Sequence, residues 1–254
     1  MGKWGQGKWG QGNGVGKWGQ DPFFFCYTNA MARQPRIDRG GYVYHVINRA
    51  AGRVPIFNTE SDFVQFEQTV EQAKELTGMR ILAYCAMPNH FHFALFPEND
   101  GDLQRFMGWL TKTHTQRWHV AHNTIGHGPL YQGRYKSFIV DTDKYFLALM
   151  RYIEQNPLRA RLVSAARDWR WGSLFRRTQG SVEQRQLLAE WPVEEPAEYR
   201  QDVERLLPRD TVDTIRVSVA KGQPFGGEAW KQAMIEKLNL VHTTRGVGRP
   251  RKAS

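Results

Sequence analysis

The sequence predicts an α+β fold: an antiparallel sheet with helices on one face, followed by a small, mostly helical extension. Three observations lead there. Four short segments read as strands, three longer ones carry helical periodicity, and their order is strand, helix, strand, strand, helix, strand, helix. That order is a split β-α-β arrangement.

Residues 42–49 come first: YVYHVIN alternates and is rich in β-branched and aromatic residues, as a half-buried strand requires. Asn58, Thr59 and Glu60 supply a cap signal. Phe63, Phe66, Val70 and Ala73 follow at helical spacing, predicting a helix over 60–76 that ends at Gly78. MRILAYCAM (79–87) and HFHFALFP (90–97) are the second and third strands, with only Pro88 and Asn89 between them, the spacing of a tight hairpin. Asp102 opens a second helix with Leu103, Phe106, Leu110, Thr113 and Arg117 down one side. A Gly-Pro-rich loop leads to a fourth strand over 133–140. Asp141, Thr142 and Asp143 cap a third helix, whose apolar face includes Phe146, Leu149 and Met150 and which carries Tyr152. Beyond Pro157 the chain turns Arg- and Trp-rich, and residues 196–207 and 227–239 read as short helices. Three units are therefore expected: a low-complexity tail (1–38), a catalytic-type α+β domain (39–157) and a basic extension (158–254).

The chain has 254 residues and a formal net charge of +10, with a pI of about 9.7. Such an excess favours polyanions, nucleic acid before an anionic membrane surface. No run of about 18 apolar residues exists, so no membrane span is expected. The two cysteines, Cys26 and Cys85, suggest neither a disulfide nor an oxidising setting, and a cytoplasmic, nucleoid-associated protein is expected. The first twenty residues repeat GKWGQ, too rich in glycine to fold without a large buried surface. They read as a disordered basic tail or as a strand-binding one, since tryptophan stacks on bases and lysine contacts phosphate. Ordered patterning begins after Met31, so translation could start there. Residues 22–30 are too short for a signal-peptide core.

Chemistry concentrates in two places. His90 and His92 flank Phe91 on a strand, so they project from one face and two adjacent imidazoles can hold one metal ion. Tyr152 lies near the end of the third helix, with Asn156 one turn on at i+4 and Gln155 as the competing amide at i+3. Pro157 biases the residue before it out of the helix, so the helix is expected to end where a side-chain amide oxygen could reach a metal. A divalent ion on two imidazoles and an amide oxygen can polarise a phosphodiester and stabilise charge on its leaving oxygen. The tyrosine can attack it, with help because a phenol has a pKa of ~10. Softer ions suit imidazole better than Mg²⁺ does, so Mn²⁺ should also serve.

These residues resemble a known family. PNHFHFALFP, the YHVINR strand, the GRYKSF strand and the YIEQNPLRARLV helix end look like the REP-associated tyrosine transposases, relatives of the insertion-sequence-200-like transposases within the HUH single-strand nucleases. The resemblance runs from about Gly40 to Trp171, with a weaker echo in PFGGEAW and GRPRK. It implies a ferredoxin-like catalytic domain, dimerisation in the parent family, and cleavage of single-stranded DNA beside a hairpin of repeated extragenic palindromes. It also implies Mg²⁺ or Mn²⁺ on His90 and His92 with Asn156 as third ligand, and Tyr152 as nucleophile through a 5′-phosphotyrosyl link. The GKWGQ repeat has no counterpart in that family.

Seven arginines between Arg151 and Arg177, among them Arg159, Arg161 and Arg170, interleave with Trp169, Trp171 and Phe175. They suggest a phosphate-tracking groove with stacking platforms, or a solvated basic surface anchored by its aromatics. Arg134 and Lys136 could contact the strand. The tail Gly248–Lys252, with Arg249 and Arg251, resembles a minor-groove hook. His119 and His122 share a helix face and read as solvated rather than as a second metal site. His45 needs no special role but could neighbour the histidine pair. Monomer and homodimer both remain open. The competing functional readings are a hairpin-binding regulator without cleavage, and a hydrolase using activated water, which would need a general base that is not obvious near His90.

Overall fold

A strand that is apolar at nearly every position needs cover on both of its faces, and the second strand, MRILAYCAM, is such a segment. The computed structural model describes residues 36–244. The GKWGQ repeat, Cys26, Met31 and the Gly248–Lys252 tail with Arg249 and Arg251 lie outside the described residues.

The strands are β1 (Val43–Arg49), β2 (Arg80–Met87), β3 (His90–Phe96) and β4 (Lys136–Val140). They form one sheet in the order β2-β3-β1-β4, antiparallel throughout. Helix α1 (Glu60–Thr77) starts on a capping box. The Thr59 hydroxyl accepts from the Asp62 N–H and the Asp62 carboxylate accepts from the Thr59 N–H. It ends at Gly78, whose φ of 70° favours glycine. Helix α2 spans Asp102–Ala121, and α3 spans Lys144–Glu154. The predicted side-chain cap of α3 does not form: Asp143 stands at the N-cap with φ 88°, and its carboxylate bonds no amide of the first turn.

Antiparallel register sorts the strand residues. Tyr44 lies opposite Leu95 and Ile139, and Val46 opposite Phe93. These residues meet Phe66 of α1 and Phe106 of α2 in one core. The two helices cover one face, as expected of a split β-α-β unit. The other face is also covered. Val43, Ile47, Cys85 and Phe138 pack against Phe146, Leu149, Met150 and Ile153 of α3 and against the C-terminal extension. Burial on both faces is why β2 is buried at every position but its first.

The extension holds α4 (Asn156–Arg159), α5 (Ser173–Gln179), α6 (Val182–Arg185), α7 (Tyr199–Val203), α8 (Arg209–Lys221) and α9 (Glu228–Lys237). It also caps the sheet's rims. Along the outer edge of β2, the Ala86 N–H donates to the Trp171 carbonyl (2.9 Å) and the Ala189 N–H to the Ile81 carbonyl (2.8 Å). Trp191 Nε1 donates to the Leu82 carbonyl (3.0 Å). At the end of β4, the Phe225 N–H donates to the Ile139 carbonyl (2.9 Å) and the Asp141 N–H to the Phe225 carbonyl (2.8 Å). Edge amides that would otherwise be open are thereby satisfied. Among the described residues, no helix is long and apolar enough to cross a membrane.

Candidate active site

The side chains of β1 and β3 alternate in step. His92 lies opposite Ile47, and His90 opposite Arg49, while His45 is two residues from Ile47 on the same face. His45, Arg49, His90 and His92 therefore share the face that α3 covers. The rings of His90 and His92 are 5.0 Å apart at 77°. His92 is buried and its Nδ1 lies 2.9 Å from His45 Nε2. His90 is half-buried at the strand's mouth, with its Nδ1 2.7 Å from the Asn89 amide oxygen. Both Nδ1 atoms are thus engaged, and the Nε2 atoms are the nitrogens left to meet a metal.

The environment keeps these rings uncharged. Burial pushes His45 down to about 3. Burial, helped by the Arg49 and Arg159 guanidiniums, pushes His90 to about 3. Burial and then the neighbouring His90 and His45 hold His92 well below the ordinary imidazole range. A neutral imidazole offers a lone pair, which is what a divalent ion requires.

Helix α3 lays Tyr152 across this cluster. Its ring is 5.8 Å from that of His92 and 6.1 Å from that of His45, edge-on to both, and the residue is 6 % exposed. The helix does end before Pro157, but the chain does not leave helical space. Pro157 sits in the first turn of α4, where its missing N–H costs nothing. That continuation folds Arg159 back over the tyrosine. Its guanidinium lies 4.3 Å from the Tyr152 ring centre, and Nη2 donates to the Tyr152 carbonyl (3.0 Å) and to Asn156 Oδ1 (2.8 Å).

Asn156 Nδ2 donates to the carbonyls of Tyr152 (3.1 Å) and Ile153 (3.2 Å). Its oxygen holds Arg159, and an amide oxygen has a second lone pair with which to meet a cation. The competing amide, Gln155, is fully buried. It donates to the Val203 and Arg205 carbonyls and accepts from the Leu207 N–H. Gln155 ties α3 to the extension and does not face the histidines. The donor set of His90, His92 and Asn156 fits a divalent ion in atom type and charge state. Among the described residues, no group of three or more His, Cys, Asp or Glu side chains is placed to hold a metal ion. His122 instead stacks on Trp118 (4.0 Å) beside Asp62, and His119 bonds Thr124.

The basic residues divide. Lys136 lies opposite Ile47, so it extends the histidine row to the edge of the sheet, and Arg134, Lys136 and Arg161 are exposed. Most of the seven arginines have carbonyl or acidic partners. Arg170 pairs with Glu60 of α1, away from the histidine face. Arg176, 3 % exposed, pairs with Glu67 and Glu71. Arg177 pairs with Glu154, Arg167 with Glu204, and Arg151 bonds the Arg205 carbonyl. Arg159 belongs to the site. Sequence reasoning missed Asn89 and Arg49 there. The period-2 alternation of β1 puts His45 and Arg49 on one face, but nothing local says that β1 lies beside β3.

Residues 40–156 match the family described as IS200-like transposases. That segment is similar to an IS200-like transposase domain and makes up a little under half of the chain. The match ends at Asn156, so the domain holds both histidines, Asn89, His45, Arg49 and Tyr152, while Arg159, Arg161 and Arg170 lie beyond it. Two solved structures are similar to this chain. One is a REP-associated tyrosine transposase bound to a REP hairpin: 17 % identity, 66 % of this chain and 96 % of that one, TM-score 0.49. The other is a candidate transposase from Deinococcus radiodurans R1: 19 % identity, 49 % of this chain and 97 % of that one, TM-score 0.36. No curated protein sequence matches.

Proposed function

We propose that this protein is a tyrosine transposase: a divalent-metal-dependent endonuclease and strand transferase acting on single-stranded DNA hairpins of repeated extragenic palindromes. The observation that carries the reading is Tyr152, held edge-on to His92 and His45. In the proposed reaction the Tyr152 oxygen bonds the scissile phosphorus and the bond to the upstream 3′ oxygen breaks. That oxygen leaves as a hydroxyl, and the 5′-phosphotyrosyl link conserves the bond for strand transfer. Arg49 and Arg159 supply positive charge beside the non-bridging oxygens. Arg134, Lys136 and Arg161 would track the flanking strand. A Mg²⁺ or Mn²⁺ ion on His90, His92 and Asn156 would polarise the phosphate and stabilise its leaving oxygen. The proposed enzyme acts as a monomer or as a homodimer.

The second reading, a hairpin-binding regulator without cleavage, is favoured by the burial of Tyr152 beneath Arg159. Incubation with labelled REP hairpins and Mn²⁺, read on a denaturing gel, separates the two. The transposase gives a metal-dependent covalent protein–DNA band that is lost in Tyr152→Phe and His90→Ala, while Tyr152→Phe still binds the hairpin. Tight binding with no adduct under any divalent ion would establish the regulator instead.

A further inference from the structure

Asn89 occupies the two-residue turn between β2 and β3, directly before His90. Its side chain bridges its sequence neighbour and a residue 36 positions before it: Nδ2 donates to the main-chain carbonyl of Arg53 at 2.9 Å, and Oδ1 faces His90 Nδ1 at 2.7 Å. A main-chain carbonyl can only accept, so the amide nitrogen must point to Arg53 and the amide oxygen to His90. The amide oxygen can only accept in turn, so the proton of His90 sits on Nδ1. A neutral imidazole with its proton on Nδ1 has its lone pair on Nε2. One side chain thus dictates which nitrogen of His90 is the donor to a cation.

His92 is held differently. Its Nδ1 meets His45 Nε2, and either ring can donate to the other. On its far side His45 Nδ1 is buried with no hydrogen-bond partner among the described residues, so nothing there sets the direction of that bond. Of the two imidazoles, His90 is preset and His92 can adjust. The anchor of the preset one is itself constrained. Arg53 adopts φ 60°, an uncommon conformation for a residue with a Cβ, and follows Gly52 at φ 64°. The same turn is clamped to Asn89 a second time, by the Ala50 N–H donating to the Asn89 carbonyl at 2.9 Å.

We propose that Asn89 is a positioning residue of the metal site: by donating to the Arg53 carbonyl and accepting the Nδ1 proton of His90, it fixes His90 as an Nε2 ligand and ties that ligand to the 50–53 turn. The role rests on the reading that His90 and His92 hold the divalent ion.

Two variants separate this role from that of a simple turn residue. Asn89→Ala removes both bonds. Asn89→Asp keeps an oxygen to accept from His90 but has no N–H for Arg53. Long-range ¹H–¹⁵N correlation on the metal-free protein reads the His90 tautomer, and Mn²⁺ titration followed by electron paramagnetic resonance reads affinity. Wild type should show the Nδ1–H form. Asn89→Ala should show a tautomer mixture and bind Mn²⁺ more weakly by on the order of 10–100-fold, the usual effect of losing a ligand's outer partner. Asn89→Asp should recover the Nδ1–H form and most of the affinity. Asn89→Ser replaces Asn89→Ala if that variant does not fold. A wild-type tautomer and affinity in Asn89→Ala overturns the inference while leaving the metal site standing, whereas failure of Asn89→Asp alongside Asn89→Ala assigns the positioning to the Arg53 bond. A wild-type protein that binds no Mn²⁺ overturns the metal reading, and this role with it.

Discussion

Arg159 and Arg176 carry the same charge and lie within one basic stretch, yet their surroundings give them opposite predicted behaviour. Arg159 lies against Tyr152 on the histidine face, where a phosphate would arrive. Arg176 is enclosed by Glu67, Glu71 and the Gln184 carbonyl. Arg159→Ala should cut cleavage at least tenfold and reduce the slope of log affinity against log salt by about one, the signature of one lost phosphate contact. Arg176→Ala should leave that slope unchanged and lower stability by about 3–5 kcal/mol, because Glu67 is left buried without its partner. Salt titration of hairpin binding and urea unfolding read the two effects. Equal salt slopes in both variants would remove Arg159 from the DNA path. Composition alone could not make this distinction, since the partners that silence Arg176 are long-range in sequence.

At the scale of elements, α3 is the piece that must be held still, and its last residue does much of the holding. The Glu154 carboxylate accepts from Ser173 Oγ (2.7 Å), Tyr199 Oη (2.8 Å) and Arg177 Nη1 (2.9 Å) in full burial. Desolvation holds its carboxyl above the usual range, with Arg177 the main opposing influence. Glu154→Ala should destabilise by about 3–5 kcal/mol. Tyr199→Phe should cost about 1–2 kcal/mol and leave the extension folded. Thermal melts of both check the ranking, and a Tyr199→Phe loss as large as that of Glu154→Ala would show that the hydroxyl is the anchor. Elements with local signals were legible: α1 from Thr59 and Gly78, the β2–β3 hairpin from its two-residue turn, α3 from its apolar face. Helix α8 was not. Thr211, Val212, Thr214, Ile215, Val217 and Val219 favour strands by propensity. Burial of Val212, Ile215 and Val219 along one side overrides that preference. In the site, His90, His92 and Tyr152 could be picked out from spacing within their own segments. Arg49 needed the β1–β3 pairing and Asn89 the approach of Arg53, contacts between distant stretches that no local pattern encodes.

The molecule as a whole buries histidines it keeps uncharged, and this makes it acid-sensitive. His114 is fully buried between Phe57 and Phe66, bonded to Tyr131 Oη, and burial pushes it to about 3. Its unfolded value is near 6.5, so between those values the unfolded chain binds a proton that the folded chain refuses. Stability is therefore present above about pH 6.5 and is lost as pH falls. From pH 7 to pH 5 this residue alone should remove about 2 kcal/mol, and His45 and His90 act in the same direction. Urea midpoints at the two pH values test this. A midpoint that does not move would mean that these rings take up protons in the folded state.

The C-terminal extension bonds the outer edge of β2 and the end of β4, so a second copy has little free backbone on which to prolong the sheet. For the proposed transposase, a chain that works by itself has a distinct signature. Cutting should be first order in protein, with a rate per molecule that dilution does not change, and nicks at two neighbouring palindromes should be statistically independent. Any coordination between the ends of a mobilised segment would have to come from the DNA.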